Sequence, residues 1–159
     1  CFPGIMYRGG AEKKIRKYLI DNNFVEAIIQ LPDNLFYGTT IATCILVLKK
    51  SKKDNKILFI DASKEFVKVT NSNKLTDQNI ENVITHLNDR KDSQYLTKLV
   101  TIDDVAEQDY NLSVSTYVEQ KDNREKVDIV KLNKDLEEIV KKENELRKAI
   151  DKIIADLER

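Results

Sequence analysis

The sequence predicts an α/β fold: the closing section of a doubly wound sheet with an antiparallel element near its edge, followed by one long helix. Three observations predict it. Runs rich in β-branched and other apolar residues at 24–31, 41–48 and 57–61 have the length and composition of strands. A helical pattern precedes the first of these, so a crossover between parallel strands is expected. Beyond residue 128, Ile129, Leu132, Leu136, Ile139, Leu146, Ile150, Ile153 and Leu157 recur at alternating steps of three and four, with no Pro or Gly between them.

Taken in order, the chain opens Cys1-Phe2-Pro3-Gly4, apolar from its first residue and without an initiator Met. That reads as the tail of a buried strand and as a piece of a longer polypeptide. A loop through Gly9-Gly10 leads to Ala11, Ile15, Tyr18 and Leu19 at helical spacing, as far as Asp21-Asn22-Asn23. The strand at 24–31 is stopped by Pro32-Asp33-Asn34. The run at 41–48 is almost wholly apolar, the pattern of a strand buried on both faces. A polar link carrying Lys49, Lys50, Lys52, Lys53 and Lys56 joins it to Ile57-Leu58-Phe59-Ile60-Asp61, and so short a link suggests an antiparallel pair.

Thr76 can cap a helix bearing Ile80, Val83, Ile84 and Leu87, with Asp77 in the first turn, where the helix dipole favours negative charge. Thr101 opens a short capped turn, and Tyr110-Asn111-Leu112-Ser113-Val114-Ser115 reads as irregular or extended. The terminal helix has the heptad pattern of a coiled coil or bundle, broken in its seam by Glu143. Its apolar seam needs cover from its own domain, from a second copy or from another subunit. Two domains are expected, 1–118 and 119–159.

Composition narrows the function classes. Among the 159 residues, 27 are Lys or Arg and 27 are Asp or Glu, so no basic excess marks a self-sufficient nucleic-acid binder. Any contact with DNA must be local or shared with a partner. Two cysteines make no disulfide framework, and Cys44 in its apolar run reads as a buried thiol. No apolar stretch approaches the roughly 18 residues of a membrane span, and no signal peptide is visible. A reducing, cytoplasmic setting without membrane contact is expected. His86 lies off the apolar stripe of its helix without Cys or His at ligand spacing, so it implies no metal and no triad.

Several separated motifs then arrive together. They are Phe2-Pro3-Gly4-Ile5-Met6-Tyr7-Arg8-Gly9-Gly10-Ala11-Glu12 with Ile15-Arg16 and Leu19-Ile20; Leu31-Pro32-Asp33-Asn34-Leu35-Phe36-Tyr37-Gly38-Thr39-Thr40-Ile41; Ile45-Leu46-Val47-Leu48-Lys49; Phe59-Ile60-Asp61-Ala62-Ser63; and Asp109-Tyr110-Asn111-Leu112-Ser113. In this order, over essentially the whole chain, they resemble the modification (M) subunits of type I restriction-modification systems. The resemblance implies an adenine-specific DNA methyltransferase that uses S-adenosylmethionine on duplex DNA. It implies a Rossmann-like methyltransferase sheet of which this chain supplies the last strands. It also implies partners: the specificity (S) subunit, docked on the terminal helix, and the restriction (R) subunit. The family's glycine-rich cofactor loop and its Asn-Pro-Pro-Phe/Tyr tetrapeptide have no counterpart here, since Pro3 and Pro32 are the only prolines. The chain alone is therefore expected to bind no cofactor and to be inactive, with no catalytic residue of its own.

The resemblance also locates candidate site residues. An enzyme that alkylates the adenine amine takes the base out of the stack and clamps it against an aromatic face. Phe36, in the loop between the last two strands, matches that place, with Tyr37 as the second candidate. Read from pattern alone, Phe36 covers the edge of the core where Pro32 turns the chain. Thr39 and Thr40 stand where backbone could approach DNA or simply form a turn. Lys49 and Lys50 are candidate phosphate contacts, although a solvated link is the commoner use of such lysines. Arg8-Gly9-Gly10 before a helix could cradle an anion, but a tight turn is the simpler reading. Leu132, Leu136, Ile139, Leu146, Ile150, Ile153 and Leu157 are the candidate partner-binding seam. The alternative from another class is a non-catalytic α/β interaction module that presents its coiled-coil helix to a partner, or to a second copy by self-association.

Overall fold

The computed structural model describes residues 1–120 and 129–157, with side chains along the last helix described at 133–151, 153 and 154. The chain divides into two compact units, Cys1–Lys121 and Asp122–Arg159. The first contains, in order, α1 (Gly4–Tyr7), α2 (Ala11–Asp21), β1 (Val25–Gln30), β2 (Cys44–Leu48), β3 (Lys56–Asp61), β4 (Val67–Val69), β5 (Ser72–Lys74), α3 (Asp77–Asp89), β6 (Thr97–Thr101), α4 (Ile102–Glu107) and α5 (Val114–Tyr117). The second contains α6 (Ile129–Leu157).

The four-stranded sheet runs β2-β1-β3-β6. The inner strands β1 and β3 are parallel, with Ala27 opposite Leu58 and Gln30 opposite Asp61, while β2 and β6 flank them antiparallel. Burial density decides which strands are central. Ile57, Leu58, Phe59 and Ile60 of β3 and Val25, Ala27, Ile28 and Ile29 of β1 are all buried. Alternate residues face opposite sides: Ile28, Ile57 and Phe59 join one apolar cluster with Ile20 of α2, Val105 of α4 and Val114 of α5. Ala27, Ile29, Leu58 and Ile60 join another, covered by Val83 and Leu87 of α3. Both faces of the inner strands are thus covered by helices, as a near-continuous apolar strand requires.

Three expectations are corrected. The strands at 41–48 and 57–61 are not a pair, because the 49–55 link carries the chain past β1 to its far side. The run at 41–48 is not a strand throughout, nor buried on both faces: only Cys44–Leu48 is a strand, and Ile45 and Leu48 remain about half exposed. The opening residue pairs with β2, where the Cys1 amine donates to the Cys44 carbonyl at 2.8 Å and the Cys44 amide to the Cys1 carbonyl at 2.9 Å. It does not lie beside β1, whose parallel neighbour is β3.

The helix at 11–21 forms as expected, but its inward face differs. Ile15 and Tyr18 are exposed, while Arg16 and Ile20 are buried, because Arg16 reaches three backbone acceptors inside. Thr76 and Thr101 each close a reciprocal capping box, with Asn79 and Asp104 respectively. Residues 114–117 form a helical turn instead of an extended piece, and β4, β5, β6 and α1 had no strong sequence signal.

Tyr117 links the last turn of this unit to the sheet. Its ring centroid lies 4.2 Å from that of Phe59, and its hydroxyl donates to the Asn111 carbonyl at 2.6 Å. Burial pushes the phenol up to about 12 from its usual 10.0. A group whose pKa is raised in the folded state stabilises fully below its unfolded value and loses that contribution as pH climbs through the folded one. Urea midpoints should therefore fall between about pH 10 and 12, and Tyr117→Phe should flatten that fall while lowering the midpoint at neutral pH. An unchanged slope in the variant would assign the alkaline loss to other groups.

Among the described residues, no helix is long and apolar enough to cross a membrane, and no group of three or more His, Cys, Asp or Glu side chains could hold a metal ion.

Candidate functional site

Because β1 and β3 run parallel, their carboxyl ends open on the same edge of the sheet. The loops 31–43 and 62–66 leave from that edge, and it is outside such ends that open α/β sheets place their ligands. In the first loop Leu31 and Pro32 are buried, and Leu35 packs against the apolar cluster that Val83 and Leu87 of α3 cover. The inward position is therefore taken by Leu35, and Phe36 stands 55% exposed with Tyr37 fully exposed beside it. A turn closes here, with the Thr39 amide donating to the Phe36 carbonyl at 3.3 Å. Gly38 supplies the φ of 79° that the third position of a type II turn demands. The Thr39 hydroxyl then accepts from the Ile41 amide at 3.2 Å.

Facing this loop is the β4–β5 hairpin, whose turn carries Thr70, Asn71 and Ser72. An open groove of about 680 Å³ lies between them, lined on the loop side by Asn34, Leu35, Phe36, Tyr37, Gly38, Thr39 and Thr40. Its walls carry hydroxyls, amides and aromatic rings but no formal charge. Such a surface suits a flat, polar-edged ring and its sugar better than an isolated anion.

Lys49 and Lys50 sit at the other end of β2, about 17 Å away at the rise of a five-residue strand. The Lys49 ammonium lies 3.7 Å from Glu26, and Lys50 is exposed. In the same link Lys52 is structural: its side chain is 2% exposed, it donates to the Val25 carbonyl at 2.9 Å, and burial lowers its pKa. The fold thus brings Phe36, Tyr37, Thr39 and Thr40 together and leaves Lys49 and Lys50 apart. Gly9-Gly10 serves as a turn, with Gly10 at φ 73° and the Arg8 carbonyl taken by the Arg16 guanidinium at 2.7 Å.

Two of the separated sequence motifs meet at Arg16. Besides Arg8, its guanidinium donates to the Tyr110 carbonyl at 2.8 Å and the Ile5 carbonyl at 2.6 Å. Asp109 and Tyr110 both have φ near +57°, and this kink turns the Tyr110 carbonyl toward Arg16 and the Leu112 amide toward the Met6 carbonyl at 2.8 Å. Residues 109–113 are therefore a clamp on α2 and the opening turn, remote in role from the groove. The sequence signal for Arg16 was its position four residues before Ile20 on one helical face.

On α6, Leu136, Ile139, Leu146, Ile150 and Ile153 are all more than half exposed, and Glu143 approaches Arg147 at 3.9 Å. The side chains of Leu132 and Leu157 lie outside the described residues.

The chain leaves β1 through Leu31-Pro32-Asp33 and β3 through Asp61-Ala62-Ser63, where the Asp61 carboxylate is already committed to the Ser63 amide at 2.9 Å. Neither of these ends carries a glycine-rich turn of the kind that cradles S-adenosylmethionine.

The family model described as N-6 DNA Methylase matches residues 1–126. The type I restriction enzyme MpnII methylase subunit of Mycoplasma pneumoniae is 48% identical over 158 residues, which cover 99% of this chain and 29% of that protein. The MjaVII methylase subunit of Methanocaldococcus jannaschii is 37% identical over 161 residues, covering 98% and 27%. The chain thus spans less than a third of the length of these curated relatives. Among solved structures, the methyltransferase subunit of a type I restriction-modification system from Streptococcus thermophilus matches with a TM-score of 0.72 at 38% identity, covering 74% of this chain and 25% of that one. The EcoKI M protein matches in fold with a TM-score of 0.60 at 13% identity, covering 77% and 34%. The chain belongs to the N-6 DNA methylase family, and the relatives it most fully matches here are methylase subunits of type I restriction enzymes.

Proposed function

We propose that this chain forms part of the M subunit of a type I restriction-modification complex, an adenine-specific DNA methyltransferase that transfers methyl from S-adenosylmethionine to an adenine flipped out of duplex DNA. The observation that carries the site assignment is the stance of Phe36: half open at the carboxyl edge of the sheet, beside a groove whose walls bear no charge. In this reading the sheet is the last section of a Rossmann-like methyltransferase sheet, and the methyl donor is held by other parts of the polypeptide.

The chemistry left to this chain is positional. The exocyclic amine of adenine is a poor nucleophile, because its lone pair is delocalised into the ring. Rate then depends on holding the extruded base still, and base–aromatic stacking contributes about 1–3 kcal/mol. Phe36 supplies the stacking face, Tyr37 a second ring at the rim, and Thr39 and Thr40 hydroxyls for the adjoining sugar-phosphate. Lys49 and Lys50 are a separate, weaker backbone contact. Through its α6 seam the subunit docks on the specificity subunit, and the complex also holds the restriction subunit and works in the cytoplasm. The exposed α6 residues equally favour the reading of a helix presented to a partner, and the two readings are compatible within one enzyme subunit.

Phe36→Ala in the assembled complex should lower methyl transfer about ten- to a hundredfold, the size of one lost stacking contact, while the affinity for S-adenosylmethionine holds. Because Phe36 is half exposed, thermal stability should hardly move. Unchanged methylation kinetics would remove the residue from the site.

A further inference from the structure

We propose that Asn73, in β5, is a positioning residue for Phe36, and that the β4–β5 hairpin exists to hold the aromatic loop in register. The inference rests on the reading of Phe36 given above. The tip of the loop after β1 is poorly tied by its own bonds. Within it, the Thr39 amide reaches only the Phe36 carbonyl and the Ile41 amide only the Thr39 hydroxyl, so neither bond ties the turn to the sheet. The base of the loop is held, since the Leu31 amide donates to the Thr43 carbonyl at 2.8 Å, Leu31 and Pro32 are buried, and Leu35 packs against the apolar cluster on the α3 side.

The remaining anchors come from the hairpin, about forty residues further along the chain. The Asn73 amide donates to the Asn34 carbonyl at 3.0 Å. The two hydrogens on Asn73 Nδ2 go to the Asp33 carbonyl and to Asp33 Oδ1, each at 2.9 Å. In return Asn34 Nδ2 donates to the Asn71 carbonyl at 3.2 Å. Four hydrogen bonds thus join the hairpin to residues 33 and 34, immediately before Leu35 and Phe36.

The hairpin has little else to do. It pairs over only three residues a side, and Val67 and Val69 are nearly half exposed. Its turn, at Thr70 to Ser72, forms the far wall of the groove. An Asn is suited to this place because one planar amide can serve a carbonyl and a carboxylate at once. Asp would set two carboxylates against each other, and Ala would leave only the backbone bond to Asn34 and the Asn34 side-chain bond to Asn71. The consequence reaches the chemistry because small misplacements of a positioning group have large kinetic effects.

The test uses the full-length subunit assembled with its partners. Without DNA, Asn73→Ala should raise hydrogen exchange in peptides covering 31–43 about tenfold, as expected for two lost hydrogen bonds at the low, solvent-exposed end of their net contribution, with β3 peptides unchanged. With DNA it should lower kcat about ten- to a hundredfold, leaving the KM for S-adenosylmethionine unaltered. Asn73→Asp should be at least as damaging, and adding Asp33→Asn should recover part of the loss by restoring an amide–carboxylate pair in reverse. Unchanged exchange in Asn73→Ala overturns the proposal. Faster exchange with undiminished kcat overturns it too, and leaves Phe36 in place provided that Phe36→Ala is slow. If Phe36→Ala is itself silent, the reading of the site fails and this inference falls with it.

Discussion

Arg16→Met should lower the stability of the chain by about 3–5 kcal/mol, the sum of three lost hydrogen bonds from a charged donor less the desolvation of that donor, and leave it close to unfolding. The guanidinium is 4% exposed and donates to the carbonyls of Ile5, Arg8 and Tyr110. Removing it strands three carbonyls, each short of a partner at about 1–3 kcal/mol. The gain from no longer burying the charge offsets part of this; burial pulls the Arg16 pKa down, and Glu12 and Asp109 act the other way. Arg16→Lys should recover little, because one ammonium cannot span acceptors arranged for a planar fork. Domains of this size hold only about 5–15 kcal/mol in total. The measurement is urea denaturation followed by far-ultraviolet circular dichroism. A midpoint within about 1 kcal/mol of the parent, on that same scale of marginal stability, would show that water readily replaces the side chain.

That expectation also shows where the sequence was readable. Helix ends written in local chemistry were legible: Thr76 and Thr101 cap as expected, and the structure adds Asn79 and Asp104 as their reciprocal partners. Strand existence was legible at 25–30 and 56–61, where both faces are apolar. Strand order was not, because nothing in the 49–55 link records that β1 inserts between β2 and β3. The short pieces β4 and β5 escaped because Val67–Val69 and Ser72–Lys74 bury almost nothing, and periodicity reports burial. Arg16 escaped for the opposite reason, since a charged residue normally marks the solvent face.

The candidate site divides along the same line. The loop from Pro32 to Thr40 was visible as a turn with an exposed aromatic option, and the fold sets Phe36 outward with Leu35 beneath it. Its tether was invisible. Asn73 sits about forty residues downstream in a segment with no pattern, and only the three-dimensional pairing with Asp33 and Asn34 gives it meaning.

Ending the chain at residue 128 should abolish binding to the specificity subunit while leaving the α/β unit folded. The separation of the two units makes this a clean test: the sheet, its two apolar clusters and the Arg16 clamp all lie within Cys1–Lys121. On α6 the apolar residues Leu136, Ile139, Leu146, Ile150 and Ile153 are each more than half exposed. Shielding such a seam from water is worth about 25 cal/mol per Å² of apolar surface, so several large side chains together can support a stable complex even after the entropy of association. A subtler variant keeps the helix: Leu146→Glu with Ile150→Glu adds two charges at the centre of the seam without disturbing helix propensity. Co-purification should fall to background in both variants, with urea midpoints of the first unit unchanged. Undiminished binding would mean that the partner grips the α/β unit instead. Sedimentation in the absence of partners separates the remaining case: a parent that dimerises and a Leu146→Glu, Ile150→Glu variant that does not would assign the seam to self-association.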